Sequence, residues 1–81
     1  MAVAFTLYSR PDCDLCEEMK AIVHSVAPDF EGTIEDIDIS GDAALEAQFG
    51  HEIPVLLLNG RKAFKYRLTE RELRHRLEKV T

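Results

Sequence analysis

The chain is short of cysteine, of basic charge and of long apolar runs, and each shortage removes a class of protein. Two cysteines in 81 residues are too few for the disulfide scaffold of a small secreted domain. The gap between them is also too short to close a stabilising loop. Ten Lys and Arg stand against fifteen Asp and Glu, a formal net charge of -5, so the cations needed to neutralise phosphates are missing and no nucleic-acid partner is expected. The longest apolar run, Val55 to Leu58, is strand-sized, far below the roughly 20 residues that span a bilayer, so no membrane partner is expected either. The opening Met1-Ala2-Val3-Ala4-Phe5-Thr6-Leu7 carries no basic leader and no small-residue cleavage site. A soluble, cytoplasmic protein is expected.

What is present suits one domain over residues 1–81, since 46% of the chain is hydrophobic and a domain of this size buries roughly 60% of its unfolded surface. Val3 to Tyr8 is aliphatic, β-branched or aromatic, and Ser9-Arg10-Pro11-Asp12 supplies turn chemistry, so a buried first strand ends just before the cysteines. From Asp14, the residues Leu15, Met19, Ile22, Val23 and Val26 mark one helix face, which Pro28 stops. Thr33 to Ser40 alternates Ile37 and Ile39 with Asp36 and Asp38 as a second strand, while Ile34, out of phase, leaves its start open between Thr33 and Glu35. Ser40-Gly41-Asp42 offers a cap for a short second helix carrying Leu45 and Phe49 and stopped by Gly50.

Ile53 to Leu58 reads as a strand buried on both faces, and Asn59-Gly60 is a strong hairpin signal that returns a fourth strand, about Lys62 to Arg67, antiparallel. Thr69 with Glu72 forms a capping box, Leu68 with Leu73 a hydrophobic staple, and Leu73, Leu77 and Val80 line a third helix. The order is βαβ then ββα. It predicts an α/β domain with a four-stranded mixed sheet flanked by three helices.

Cys13-Asp14-Leu15-Cys16 opens the first helix, where orphan amides and the positive dipole end face the first sulfur. The effect matters because an ordinary thiol, with a pKa near 8.5, is only about 3% ionised at pH 7. Cys16, one turn on and on the same side, is within bonding reach of Cys13. This supports a dithiol mechanism in which Cys13 attacks a disulfide and Cys16 then displaces the product.

Thr6-Leu7-Tyr8-Ser9-Arg10-Pro11-Asp12-Cys13-Asp14-Leu15-Cys16 and Glu52-Ile53-Pro54-Val55-Leu56-Leu57-Leu58-Asn59-Gly60 together resemble the short bacterial glutaredoxin-like proteins of the thioredoxin superfamily, over nearly the whole chain. The resemblance implies a thioredoxin-like fold, a thiol–disulfide oxidoreductase, Cys13 as nucleophile and Cys16 as resolving thiol. It also implies Pro54 as a cis-proline that presents the Ile53 backbone to a disulfide-bearing peptide. Arg10 matches the basic position beside the nucleophile, where a cation would hold thiolate or a glutathione carboxylate. Tyr8 is expected to pack rather than to bind substrate.

The chain departs from that pattern in two places. Asp14-Leu15 stands where glutaredoxins carry Pro-Tyr and thioredoxins Gly-Pro, and with Asp12 it sets two anions against the thiolate, so ionisation is expected to be only moderately favoured. Phe64-Lys65-Tyr66-Arg67 occupies the region of the family's Gly-Gly, so a protein disulfide is as good an expected substrate as glutathione. No cofactor is expected beyond glutathione as a co-substrate, and a reductase or small thiol would return the electrons to a monomeric protein.

Two other readings keep the same residues. Cys13 and Cys16 could be half of a tetrahedral zinc or iron–sulfur set that a dimer would complete with four thiolates, although His24, His51 and His75 are expected to be surface or packing residues rather than ligands. Alternatively, the fold could serve as an interaction domain with idle cysteines. Arg71, Arg74, Arg76 and Lys79, interspersed with Glu70, Glu72 and Glu78, read as a solvated helix face.

Overall fold

In the computed structural model, which describes residues 2–80, the apolar stripes of the sequence become the two sides of one sheet. Met1 and Thr81, the ends of the expected domain, lie outside the described residues. The elements are β1 (Ala4–Ser9), α1 (Asp14–Val26), a 3-10 turn (Ala27–Phe30), β2 (Thr33–Asp38), α2 (Ala43–Phe49), β3 (Val55–Leu58), β4 (Arg61–Lys65) and α3 (Glu70–Val80). The four strands lie in the order β2-β1-β3-β4, with β1 parallel to β2 and antiparallel to β3, and β3 antiparallel to β4. This is the expected mixed sheet with three helices.

Alternation along the strands sorts the core. Val3, Phe5 and Leu7 face one way and, with Leu56 and Leu58 of β3, meet Met19, Val23 and Val26 of α1 and Leu73 and Leu77 of α3. On the opposite face a smaller cluster joins Val55 to Ile39 and Phe49, with Tyr8, Leu45, Ile53 and Leu57 packed around it. The phase puzzle of β2 is resolved here: Ile34 packs against the larger cluster, while Ile39, beyond the strand end, is buried in the smaller one. A sheet covered on both sides has no single apolar phase at its edge strand.

Local signals operate as their chemistry requires. Thr69 N–H donates to Glu72 Oε1 at 2.9 Å and Glu72 N–H to Thr69 Oγ1 at 3.1 Å, the reciprocal capping box, with Leu68 and Leu73 both buried beside it. Asn59 and Gly60 have φ of 51° and 84°, so both turn residues sit in the left-handed region. Asn59 Oδ1 also accepts from Ala4 N–H at 2.9 Å, fixing the hairpin to the start of β1.

Boundaries move in five elements: β1 is Ala4–Ser9 rather than Val3 to Tyr8, β2 stops at Asp38 short of Ser40, and three others shift as well. The first helix ends at Val26, with Pro28 inside the following 3-10 turn. The third strand starts at Val55 rather than Ile53, since Pro54 has no N–H to give to a ladder. The fourth spans Arg61–Lys65 rather than reaching Arg67, because Tyr66 turns into the left-handed region at φ 69° and leaves the ladder.

Candidate active site

The end of β1 and the start of α1 build the site. Ser9 closes the strand, and Asp12, at φ 58°, reverses the chain, a conformation that a short polar side chain tolerates. Cys13 follows as the N-cap of α1, with extended backbone (φ -119°, ψ 108°). Its sulfur takes the place of the usual capping oxygen and accepts the Cys16 N–H at 3.2 Å.

Cys13 and Cys16 are joined as a disulfide across the mouth of the helix, with Cα atoms 5.2 Å apart. The two residues are not equivalent: Cys16 is 1% exposed, while Cys13 is half-buried. The Cys16 amide aimed at Cys13 Sγ and the positive end of the helix dipole thus meet at this sulfur.

Topology carries Pro54 to the same end of the sheet. Val55 pairs with Tyr8, so the preceding Pro54 lies level with the end of β1, from which the chain turns into Cys13. The Ile53–Pro54 bond is cis. Among the described residues nothing hydrogen-bonds to the Ile53 backbone, whereas the Pro54 carbonyl accepts from Tyr66 N–H at 2.9 Å.

Arg10 is engaged elsewhere than at the sulfur. Its Nε and Nη2 donate to Glu46 Oε1 and Oε2 of α2 at 2.8 and 2.7 Å, a two-point fork on a carboxylate. That hydrogen bonding raises the Arg10 pKa and holds Glu46 below the usual carboxylate range. A side chain at Gly50 would collide with the Glu46 carbonyl and press on Arg10 Nη2, so glycine there protects the pair. Tyr8 stacks on Phe49 with ring centroids 4.2 Å apart, the packing role expected of it.

Two residues that the sequence did not single out organise the Pro54 side. Tyr66 spans the gap with its own backbone N–H to Pro54 and its hydroxyl, which donates to the His51 carbonyl at 2.9 Å. Glu52 accepts from Lys62 of β4, and that bond keeps its carboxyl below the usual range. No motif marks Tyr66, because its role depends on a positive φ that an aromatic residue seldom adopts. Glu46 carried a weak signal, an acid in the first turn of α2.

The described residues contain no group of three or more His, Cys, Asp or Glu placed to hold a metal ion, and no described helix is long and apolar enough to cross a membrane. His24 is exposed and faces Asp36 at 3.5 Å.

Comparison with known proteins agrees with this geometry. A family model described as Glutaredoxin-like domain (DUF836) matches residues 4–78. A relative from Dictyostelium discoideum, "Glutaredoxin-like protein YDR286C homolog", is 31% identical, covering 98% of this chain and 79% of that protein. The X-ray structure of protein XcR50 from X. campestris superposes with a TM-score of 0.81 at 31% identity, over 95% of this chain and 99% of that one. A mutant thioredoxin from Halobacterium salinarum shares the fold at a TM-score of 0.74 and 21% identity, over 98% and 74% of the two chains.

Proposed function

This chain belongs to the glutaredoxin-like domain family, and from that membership and the site we propose that it is a dithiol–disulfide oxidoreductase. The observation that carries the reading is the asymmetric pair at the helix mouth, with Cys13 partly exposed and Cys16 buried.

In the reduced protein the Cys13 thiolate attacks one sulfur of a substrate disulfide. A Cys13–substrate bond forms, the substrate S–S bond breaks, and the departing thiolate takes a proton from solvent. The Cys16 thiol then loses its proton and attacks Cys13 Sγ, releasing the second substrate thiol and leaving the Cys13–Cys16 disulfide. Two electrons have passed to the substrate. A small thiol such as glutathione, or a reductase, returns them.

The unoccupied backbone of Ile53 beside Pro54 supports these two residues as the place where an extended disulfide-bearing segment pairs. Arg10 uses Nε and Nη2 on Glu46, and Nη1 remains as the donor proposed to meet a substrate carboxylate. The substrate class is a protein disulfide or a glutathione mixed disulfide, handled by a cytoplasmic monomer without nucleic acid, membrane or metal. A metal module, completed by the cysteines of a second copy, is less favoured because the family and its named relative are glutaredoxin-like.

The test is trapping. Cys13→Ser should lower reduction of a peptide disulfide by at least about a hundredfold, since serine supplies no thiolate at neutral pH. Cys16→Ser should accumulate a mixed disulfide on Cys13 visible by mass spectrometry. Unchanged turnover in Cys13→Ser, or stoichiometric zinc or iron in anaerobically purified protein, would overturn the reading.

A further inference from the structure

We infer that the cleft between the β3–β4 hairpin and the end of α3 is a docking site for an acidic peptide segment of a partner protein. The cleft measures about 600 Å³ and is rimmed by Arg61, Lys62, Arg76 and Lys79. Leu58, Ala63 and Val80 give it an apolar lining, and no Asp or Glu contributes to it. In a chain of net charge -5 this gathers three of the ten cations, Arg61, Arg76 and Lys79, at one place, while the Lys62 ammonium is held by Glu52 and lies 5.8 Å from the Phe49 ring on the other face of the sheet.

Convergence of unpaired cations sets this cluster apart, since among the described residues Lys20, Arg67 and Arg71 also form no ion pair but do not line one cleft together. Elsewhere Arg10 is matched with Glu46, and Arg74 with Asp29 and Glu70. Among the described residues, Arg61, Arg76 and Lys79 form no ion pair, and only Lys62 has a carboxylate, Glu52. Charges on β4 alone could be explained as protection of an edge strand. Arg76 and Lys79, however, come from a helix and converge on the same cleft, which edge protection does not require.

The chemistry of the occupant follows from charge and lining together. A small inorganic anion would leave most of this volume and its apolar lining unused. A nucleic acid would be repelled by the remainder of the chain, whose opposite sheet edge, β2, carries Glu35, Asp36 and Asp38. An acidic segment with interspersed apolar side chains meets both features. The cleft lies near Leu58, at the far end of β3 from Pro54 and so about 10 Å along the strand from the redox end. It can therefore hold a partner without covering Cys13, and its occupancy does not depend on the oxidoreductase reading.

The experiment is fluorescence anisotropy with a labelled, cysteine-free peptide rich in Glu and Leu. The combined Arg61→Gln, Arg76→Gln and Lys79→Gln variant should bind at least about tenfold more weakly than wild type. A control combining Lys20→Gln and Arg71→Gln should change binding by less than about twofold. Wild-type affinity should also fall steeply as salt rises from about 50 to about 300 mM, because exposed charge pairs are screened. Equal binding by wild type and the triple variant, binding that is flat in salt, a Lys- and Leu-rich peptide that binds as well, or tighter binding of labelled duplex DNA would each overturn the proposal. So would salt-sensitive self-association that expels the peptide, which would make the occupant a second copy of this chain.

Discussion

One face of the sheet is thick and the other thin. Among the described residues, the α1/α3 side interlocks twelve buried residues, whereas the α2 side has three, under a helix of seven residues. The thin side is held by directional ties instead: the Arg10–Glu46 fork, the Tyr8–Phe49 stack and the Asp42 side chain, which accepts from Ala44 and Leu45 N–H at 3.0 and 3.1 Å. The helix bearing the cysteines stands on the thick side, while the chain entering Pro54 leaves directly from α2. The proposed nucleophile, Cys13, is therefore mounted on the half with more apolar burial, and the strand proposed to receive substrate begins in the half with less. Regions of low apolar burial open most readily, which is where a receptive loop gains adaptability.

The sharpest way to break this comparison is to remove bulk from each side. Leu77→Ala on the thick side should cost about 3–5 kcal/mol, because a fully buried leucine leaves a cavity its neighbours cannot fill. That is much of the roughly 5–15 kcal/mol total of a small domain. Phe49→Ala should fall at the low end of the aromatic range, about 3 kcal/mol, because its cluster is small and can collapse. Urea unfolding measures both. Equal losses, or equal hydrogen-exchange protection of α1 and α2 in the wild type, would erase the distinction between the faces.

Acid should act on the thin side before the thick one. Glu46 and Glu52 are held below their ordinary value of 4.5 by hydrogen bonds from Arg10 and Lys62, and Asp38 below 3.8 by Ser40. A carboxyl with a depressed folded-state pKa contributes stability that is complete above its unfolded value and disappears as pH falls through the folded one. The contribution of these groups is thus intact at neutral pH and is lost from about pH 4.5 downward. The raised pKa values of Arg10 and Arg74 lie far above this window and keep both cations charged throughout. Amide exchange in α2 and the 51–54 segment should accelerate on acidification while the α1/α3 core stays protected, and Glu46→Gln should blunt the response. Uniform acceleration would mean that the faces open as one unit.

Much of this was legible in the residues themselves. Capping at Thr69 and Glu72, the Asn59-Gly60 turn and the Cys13–Cys16 spacing each depend on neighbours a few residues away, so their chemistry can be read locally. The Arg10–Glu46 fork joins residues 36 apart, and the Tyr66–His51 bond joins residues 15 apart. Those partnerships exist only once α2 and β4 have been brought to the Cys13 end of the sheet, and no spacing rule anticipates them. Ile34 shows the same limit at smaller scale. Its phase contradicts a one-sided strand, and only the second covered face accounts for it.

The smallest expected effect concerns Arg10, which ties the two halves together. If Nη1 meets a carboxylate of the substrate, Arg10→Gln should raise KM by roughly two- to fivefold for a glutathione mixed disulfide, as suits one exposed charge contact. It should leave kcat, and the KM for an uncharged disulfide, nearly unchanged. Glu46→Gln separates that role from a structural one. It breaks the fork on the α2 side but leaves the guanidinium in place, so a substrate-facing Arg10 keeps or lowers KM in this variant. If Arg10 serves only to fasten α2, Glu46→Gln and Arg10→Gln should instead produce the same kinetics and the same loss of α2 protection. The fork would then belong to the architecture of the thin face, and recognition of the substrate would fall to Ile53 and Pro54.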